Sequence, residues 1–229
     1  VVINAEKYRL LLFVAAAFII DYIPFVNLPF LWSETFFHEI SHGLAALLTG
    51  GVIHNIRLNF DGSGVCTTSG GVAFLVSFSG YAGSAIWGLL IYRVASAFSI
   101  TNAKYILGAI VLMLGVTLLL WARDVSTIII LLILLAMYSI PLVKPPQFLK
   151  SWFSIKSFIQ LVGVFVLLDA IRSPLYLLDG RDLGDGASLA EQTFLPEIVW
   201  VLTWFSIAVA CLYSLWARSK KSADLESSA

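Results

Sequence analysis

Apolar runs of about twenty residues recur along this chain, separated by short clusters of glycine, proline and charged residues. A run of that length crosses the hydrocarbon core of a bilayer as a helix. The pattern therefore predicts an all-α polytopic membrane protein with about six or seven transmembrane helices. The first run, Leu10 to Trp32, carries Asp21 and Pro24, which predict a kink or an early end. Asp21 reads as a functional membrane carboxylate or an interfacial one. The second runs from Ser33 to Thr49, with Ser33 or Thr35 as its cap and Gly50 and Gly51 as its stop. Ala73 to Val94, Tyr105 to Trp121, Ser126 to Val143, Ile155 to about Leu168, and Ile198 to Trp216 complete the series. In the third helix, Gly80, Gly83, Ser84 and Gly88 recur at helical spacing and predict close helix packing.

Between the second and third runs the pattern changes. Val52 to Gly71 alternates over short stretches around an Asp61-Gly62 turn signal, which predicts a small β-hairpin. It is either a plain connection or a strand edge for an unwound substrate to pair with. Lys144, Pro145, Pro146, Lys150 and Lys156 mark a basic interfacial loop before the sixth helix. No long repeat or linker appears, so residues 1–217 read as one membrane domain and 218–229 as a polar disordered tail. The first run is too long for a cleavable leader's apolar core.

Composition agrees: 59% of residues are hydrophobic and 12% charged, about half the charge of an ordinary soluble domain, and mean hydropathy is +0.92. Formal net charge is zero, which gives no reason to expect a nucleic-acid partner. With seven crossings, eight basic residues fall on the side of the C-terminus and six opposite, a small bias toward a cytoplasmic C-terminus. Cys66 and Cys211 do not make a disulfide framework.

Chemistry concentrates in the second run. His38-Glu39-Ile40-Ser41-His42 sets two of the chain's three histidines one helical turn apart on one face, so both imidazoles can address one ion. Among Phe36, Phe37, Ile40 and Leu44, ionisable groups are costly unless paired or metal-bound. HExxH on a helix is the zinc-site signature in which the glutamate, here Glu39, acts as base toward water. His54 shares no helical face with this pair. A third ligand is expected among the later aspartates. Asp185 precedes Gly186 and a helical Ala-Ser-Leu-Ala pattern, so it reads as a helix cap held at a fixed place. Asp179, in Leu-Leu-Asp-Gly, is the alternative; Asp182 reads as solvated beside Arg181, and Asp169 stands just beyond the sixth helix.

The segments HEISHGLAALLTGG, DGSGV, GYAGS and GDGASLAEQT with LPEIVW, in this order, resemble the site-2 protease family of intramembrane zinc metalloproteases, in its M50B-like branch. The resemblance runs from about Trp32 to Trp204. It implies a membrane-embedded zinc endopeptidase acting on a membrane-protein substrate within the lipid bilayer. It also implies His38, His42 and a late aspartate as zinc ligands and Glu39 as the catalytic base. The branch's late Ser-Asp-Ala motif falls on Gly184, Asp185 and Gly186, whereas the Leu-Asp-Gly motif of other members falls on Leu178, Asp179 and Gly180. Ser173-Pro174 stands where those members carry Asn-Pro. A non-catalytic zinc-binding relic and a transporter are the alternatives, although transporters usually show internal repeats.

Overall fold

The computed structural model describes residues 5–97, 100–143, 155–179 and 183–227, with side chains over 8–97, 103–143, 155–178 and 183–219. Helices α1 (Ala5–Asp21) and α2 (Leu28–Leu48) lead into strands β1 (Val52–Leu58) and β2 (Gly64–Ser69). Then follow α3 (Ala73–Ala97), α4 (Ile100–Leu120), α5 (Val125–Val143) and α6 (Ile155–Arg172), the last continued by a 3-10 segment, Ser173–Asp179. Helices α7 (Asp185–Thr193) and α8 (Glu197–Ser227) end the chain.

Among the described residues, five helices are long and apolar enough to span a bilayer: α3, Ala103–Leu120 of α4, α5, the stretch Ile155–Leu178, and Glu197–Ser219 of α8. The count falls just under that expected for two reasons. Helix α1 has 17 residues, and α2 carries two histidines and two glutamates. The basic loop expected at Lys144 to Lys150 lies outside the described residues.

Two expected boundaries move. The first run divides at residues 22–27, and α2 begins at Leu28 with Pro29 in its first turn, a position where proline's missing N–H costs nothing. Trp32 thus belongs to α2. Neither Ser33 nor Thr35 caps that helix; both lie inside it, and the Ser33 hydroxyl donates back to the carbonyl of Pro29. At the other end Thr49 is the cap and Gly50 takes φ of 87°, the left-handed conformation that glycine adopts without cost. Helix α8 runs on past Trp216, with backbone helix as far as Ser227 through most of the segment expected to be disordered.

The packing centre is the contact of α3 with α6. A Cβ on Gly88 would stand 2.7 Å from Leu167 N, and one on Gly163 would stand 2.8 Å from Tyr92 N. The two backbones therefore touch, as small residues permit in membrane bundles. Helix α2 packs on the same α3, where Gly83 lies against the Ser41 side chain. This brings the HEISH turn to the inside of the bundle.

The hairpin forms as expected, β1 pairing antiparallel with β2 and carrying a bulge between Ile53 and Asn55. Strand β1 is tied to the α4–α5 corner: Ile56 N donates to Trp121 O at 3.1 Å, and Leu58 N to Thr127 Oγ1 at 2.8 Å. The turn is tied to α2, with Trp32 Nε1 donating to Phe60 O and Thr35 Oγ1 to Gly62 O. At the turn, Ser63 N and Oγ donate to Asp61 Oδ1, and these bonds lower the Asp61 pKa.

Asp124 caps α5. Its Oδ1 accepts from Thr127 N at 2.9 Å and from Ser126 Oγ, and its Oδ2 from Thr127 Oγ1. Burial alone would raise its pKa, but these bonds and the nearby Arg57 outweigh burial and lower it below the ordinary 3.8.

Two outcomes follow from this packing. Gly88→Val should destabilise the protein by roughly 1–3 kcal/mol through overpacking, whereas Gly108→Val, where a Cβ meets nothing within 4 Å, should change little; detergent unfolding of both variants measures the difference. Asp124→Ala should cost about 1 kcal/mol, as for other lost caps. Because the folded pKa is depressed, that stabilisation is present above the unfolded pKa and is lost as pH falls through the folded one. The gap in unfolding free energy between wild type and Asp124→Ala should therefore close below about pH 4, and a gap constant through that range would exclude the assignment.

Candidate metal centre

His38 and His42 face the bundle interior one turn apart on α2, as their spacing requires. The two Nε2 atoms lie 3.0 Å apart. Asp185, at the first turn of α7, places Oδ2 at 3.2 Å from His38 Nε2 and 3.2 Å from His42 Nε2. The three side chains are the group that offers metal-ligating atoms among the described residues, all within 4.8 Å of one another. A tetrahedral ion with bonds of about 2.0–2.1 Å needs ligand atoms about 3.3 Å apart, so the triangle has the right size. Two nitrogens and one carboxylate oxygen are also the donor set of a site that keeps a fourth position for solvent or substrate.

The surroundings fix the ligand atoms. Val76 O, an acceptor only, lies 2.7 Å from His42 Nδ1, so Nδ1 carries the proton and Nε2 keeps its lone pair toward Asp185. The His38 ring meets Tyr81 edge-on with centroids 4.5 Å apart. A Cβ on Gly80 would stand 2.5 Å from His42 Nε2 and 2.6 Å from His38 Cε1. Only glycine leaves room for both imidazoles there.

Asp185 is not the cap of α7. Gly184 holds that position at φ of 93°, a conformation that side-chain-bearing residues rarely take. The aspartate is the first helical residue, and its carboxylate turns to the two histidines. Gly186 is equally constrained, since a Cβ there would press on the Glu197 side chain of α8. Glycine on both sides of Asp185 thus lets α7 approach α8 while presenting the carboxylate inward.

Glu39 is buried beside β2. A Cβ on Gly64 would stand 2.7 Å from its Oε1, so the carboxyl group lies directly against the strand. His38, His42 and Asp185 are the ionisable groups that interact with it. Burial pushes the neighbouring Cys66 thiol up to about 12, so this cysteine stays protonated and is no rival nucleophile.

All four groups line one cavity of about 840 Å³. Strand β2 contributes Gly64, Val65 and Cys66 to its wall. His54 is elsewhere, in the bulge, with Nε2 2.7 Å from Ser69 Oγ. Asp179 closes the 3-10 segment, but its side chain and all of Asp182 lie outside the described residues.

Several contributors escape sequence reading. The carbonyl of Val76 is a backbone group of an ordinary residue and leaves no sequence signal. Gly80 is visible as one of a glycine series, yet nothing in the series marks it as the one under the imidazoles. Glu34 also lines the cavity, and its place four residues before His38 was a signal for the same face.

No curated protein and no solved structure matches the chain. A comparison with protein families matches residues 11–215 to the family described as Peptidase M50B-like. With most of its length covered by that match and its apolar helices built to cross a bilayer, the chain belongs to the Peptidase M50B-like family, a site-2 protease family, and is a multi-pass integral membrane protein.

Proposed function

We propose that this chain is an intramembrane zinc metalloprotease that hydrolyses a peptide bond in or near a transmembrane segment of a membrane protein. The observation that carries the reading is the convergence of His38, His42 and Asp185 with Glu39 beside them in one cavity. His38, His42 and Asp185 would hold the ion. Zinc bound there would supply Lewis acidity toward a water molecule and a peptide carbonyl.

The chain's own groups do the rest. Glu39, packed against Gly64 of β2, accepts the proton of the attacking water and delivers it to the departing amine. Val76 keeps His42 in one tautomer. A substrate helix buries its carbonyls in its own hydrogen bonds, so the segment must unwind before it is cut. Among the described residues strand β2 pairs with β1 alone, and its other edge, on the cavity wall, offers backbone groups to an unwound strand.

Glu39→Gln should retain the metal and lose cleavage of a membrane-protein substrate by a factor of roughly 10² to 10⁴; cleavage at the wild-type rate would refute the general-base role. Gly80→Val should weaken zinc binding by about 10- to 100-fold by displacing the imidazoles, whereas Gly115→Val, with open space at its Cβ, should leave it unchanged. Competition against a zinc indicator reads both variants.

A further inference from the structure

The cavity continues past His38 to a polar group that the chemistry above does not use. Glu34 stands one turn before His38 on α2. Asp21 ends α1, Asp169 lies in the last turn of α6, and Arg172 and Ser173 follow it; all five line the cavity. Arg172 is paired with Asp21. Asp169 accepts from Ser173 Oγ at 2.5 Å, and its carboxyl group interacts electrostatically with Glu34.

Glu34 is the anomaly. It is 4% exposed, and its Oε1 is buried without a hydrogen-bond partner. In an apolar bundle such an oxygen calls for a donor. The charge balance says which kind. Three carboxyl groups share one guanidinium, and its ion pair is with Asp21, so the group is short of positive charge. Arg172 Nε is also buried without a partner, which makes an acidic side chain the rival occupant, but the surplus of carboxyl groups repels it.

We infer that Glu34 and Asp169 form a subsite for a cationic side chain, lysine or arginine, of the substrate segment. The inference rests on the protease reading for its placement. Four residues of helix rise about 6 Å from Glu34 to His38, and an extended chain covers that in about two residues at about 3.3 Å each. The subsite therefore reads a residue about two positions from the bond that is cut. An ammonium or guanidinium brings only donors, which matches the partnerless Glu34 oxygen. A basic residue is costly in a transmembrane segment, and capture by the carboxyl pair stabilises it within the cavity. Recognition would thus favour substrate segments that are already poorly settled in the bilayer.

The test uses the full chain carrying Glu39→Gln, purified in detergent with zinc. Its probes are synthetic transmembrane peptides identical except for one position, scanned outward from a central Gly-Ser pair and occupied by lysine, leucine or glutamate. At one scanned position the lysine peptide should bind about tenfold tighter than the leucine peptide, the size of one charge-assisted hydrogen bond, and the glutamate peptide should bind weakest. Adding Glu34→Gln or Asp169→Asn should bring the lysine-to-leucine ratio toward one. Equal binding of lysine and leucine peptides at every position, tighter binding of glutamate, or a preference that survives both substitutions would overturn the subsite. The peptide scan needs neither added substitution, so a variant that fails to fold does not remove the test. Cleavage of the same peptides by the wild-type chain is read separately. Lysine preference without cleavage would keep the subsite and sink the protease reading, and cleavage without preference would do the reverse.

Discussion

A bilayer-embedded chain cannot leave ionisable groups to water, and this constraint governs the rest of the structure. Glu34, His38, Glu39 and His42 bring four such groups into one stretch of α2. Each must find a partner inside the bundle or be expelled from it. His42 finds Val76 O on one ring nitrogen and Asp185 on the other; His38 finds Asp185; Glu39 lies against Gly64 of β2. The partners come from α3, α7 and β2, elements distant in sequence. Meeting the constraint therefore assembles the site.

Close backbone approach makes that assembly possible. Gly80 lets α3 lie directly under the two imidazoles, and Gly88 with Gly163 lets α6 reach α3. The same α6 then carries Asp169 and Arg172 to the far end of the cavity. Glycine at 184 and 186 performs a similar service for Asp185, Gly186 at the cost of helix propensity in a nine-residue helix. The hairpin adds the last wall: β1 is anchored on the α4–α5 corner while β2 lines the cavity beside Glu39.

Much of this was legible in the chain itself. Run length gave the membrane class, the Asp61-Gly62 turn gave the hairpin, and the His38–His42 spacing gave a shared face. Asp185 was legible for a reason that the structure replaces: the expectation was a cap, and the observed residue is the first of its helix with Gly184 as the cap. The break at residues 22–27 was half legible, since Asp21 and Pro24 marked a disturbance but apolar Phe25, Val26 and Leu28 concealed a helix end. What could not be read was which small or polar residues meet across helices. Gly80, Gly83 and Gly88 look alike in sequence, yet one serves the imidazoles, one serves Ser41 and one serves α6. That division depends on tertiary packing, which single-helix periodicity does not contain.

The most direct measurement is metal content per purified chain in mild detergent, comparing wild type with Asp185→Ala and Asp179→Ala. The predicted result is about one zinc per chain in wild type and in Asp179→Ala, with little or none in Asp185→Ala. No metal in the wild-type chain under zinc-replete purification, or loss in Asp179→Ala with retention in Asp185→Ala, would contradict a centre built from His38, His42 and Asp185.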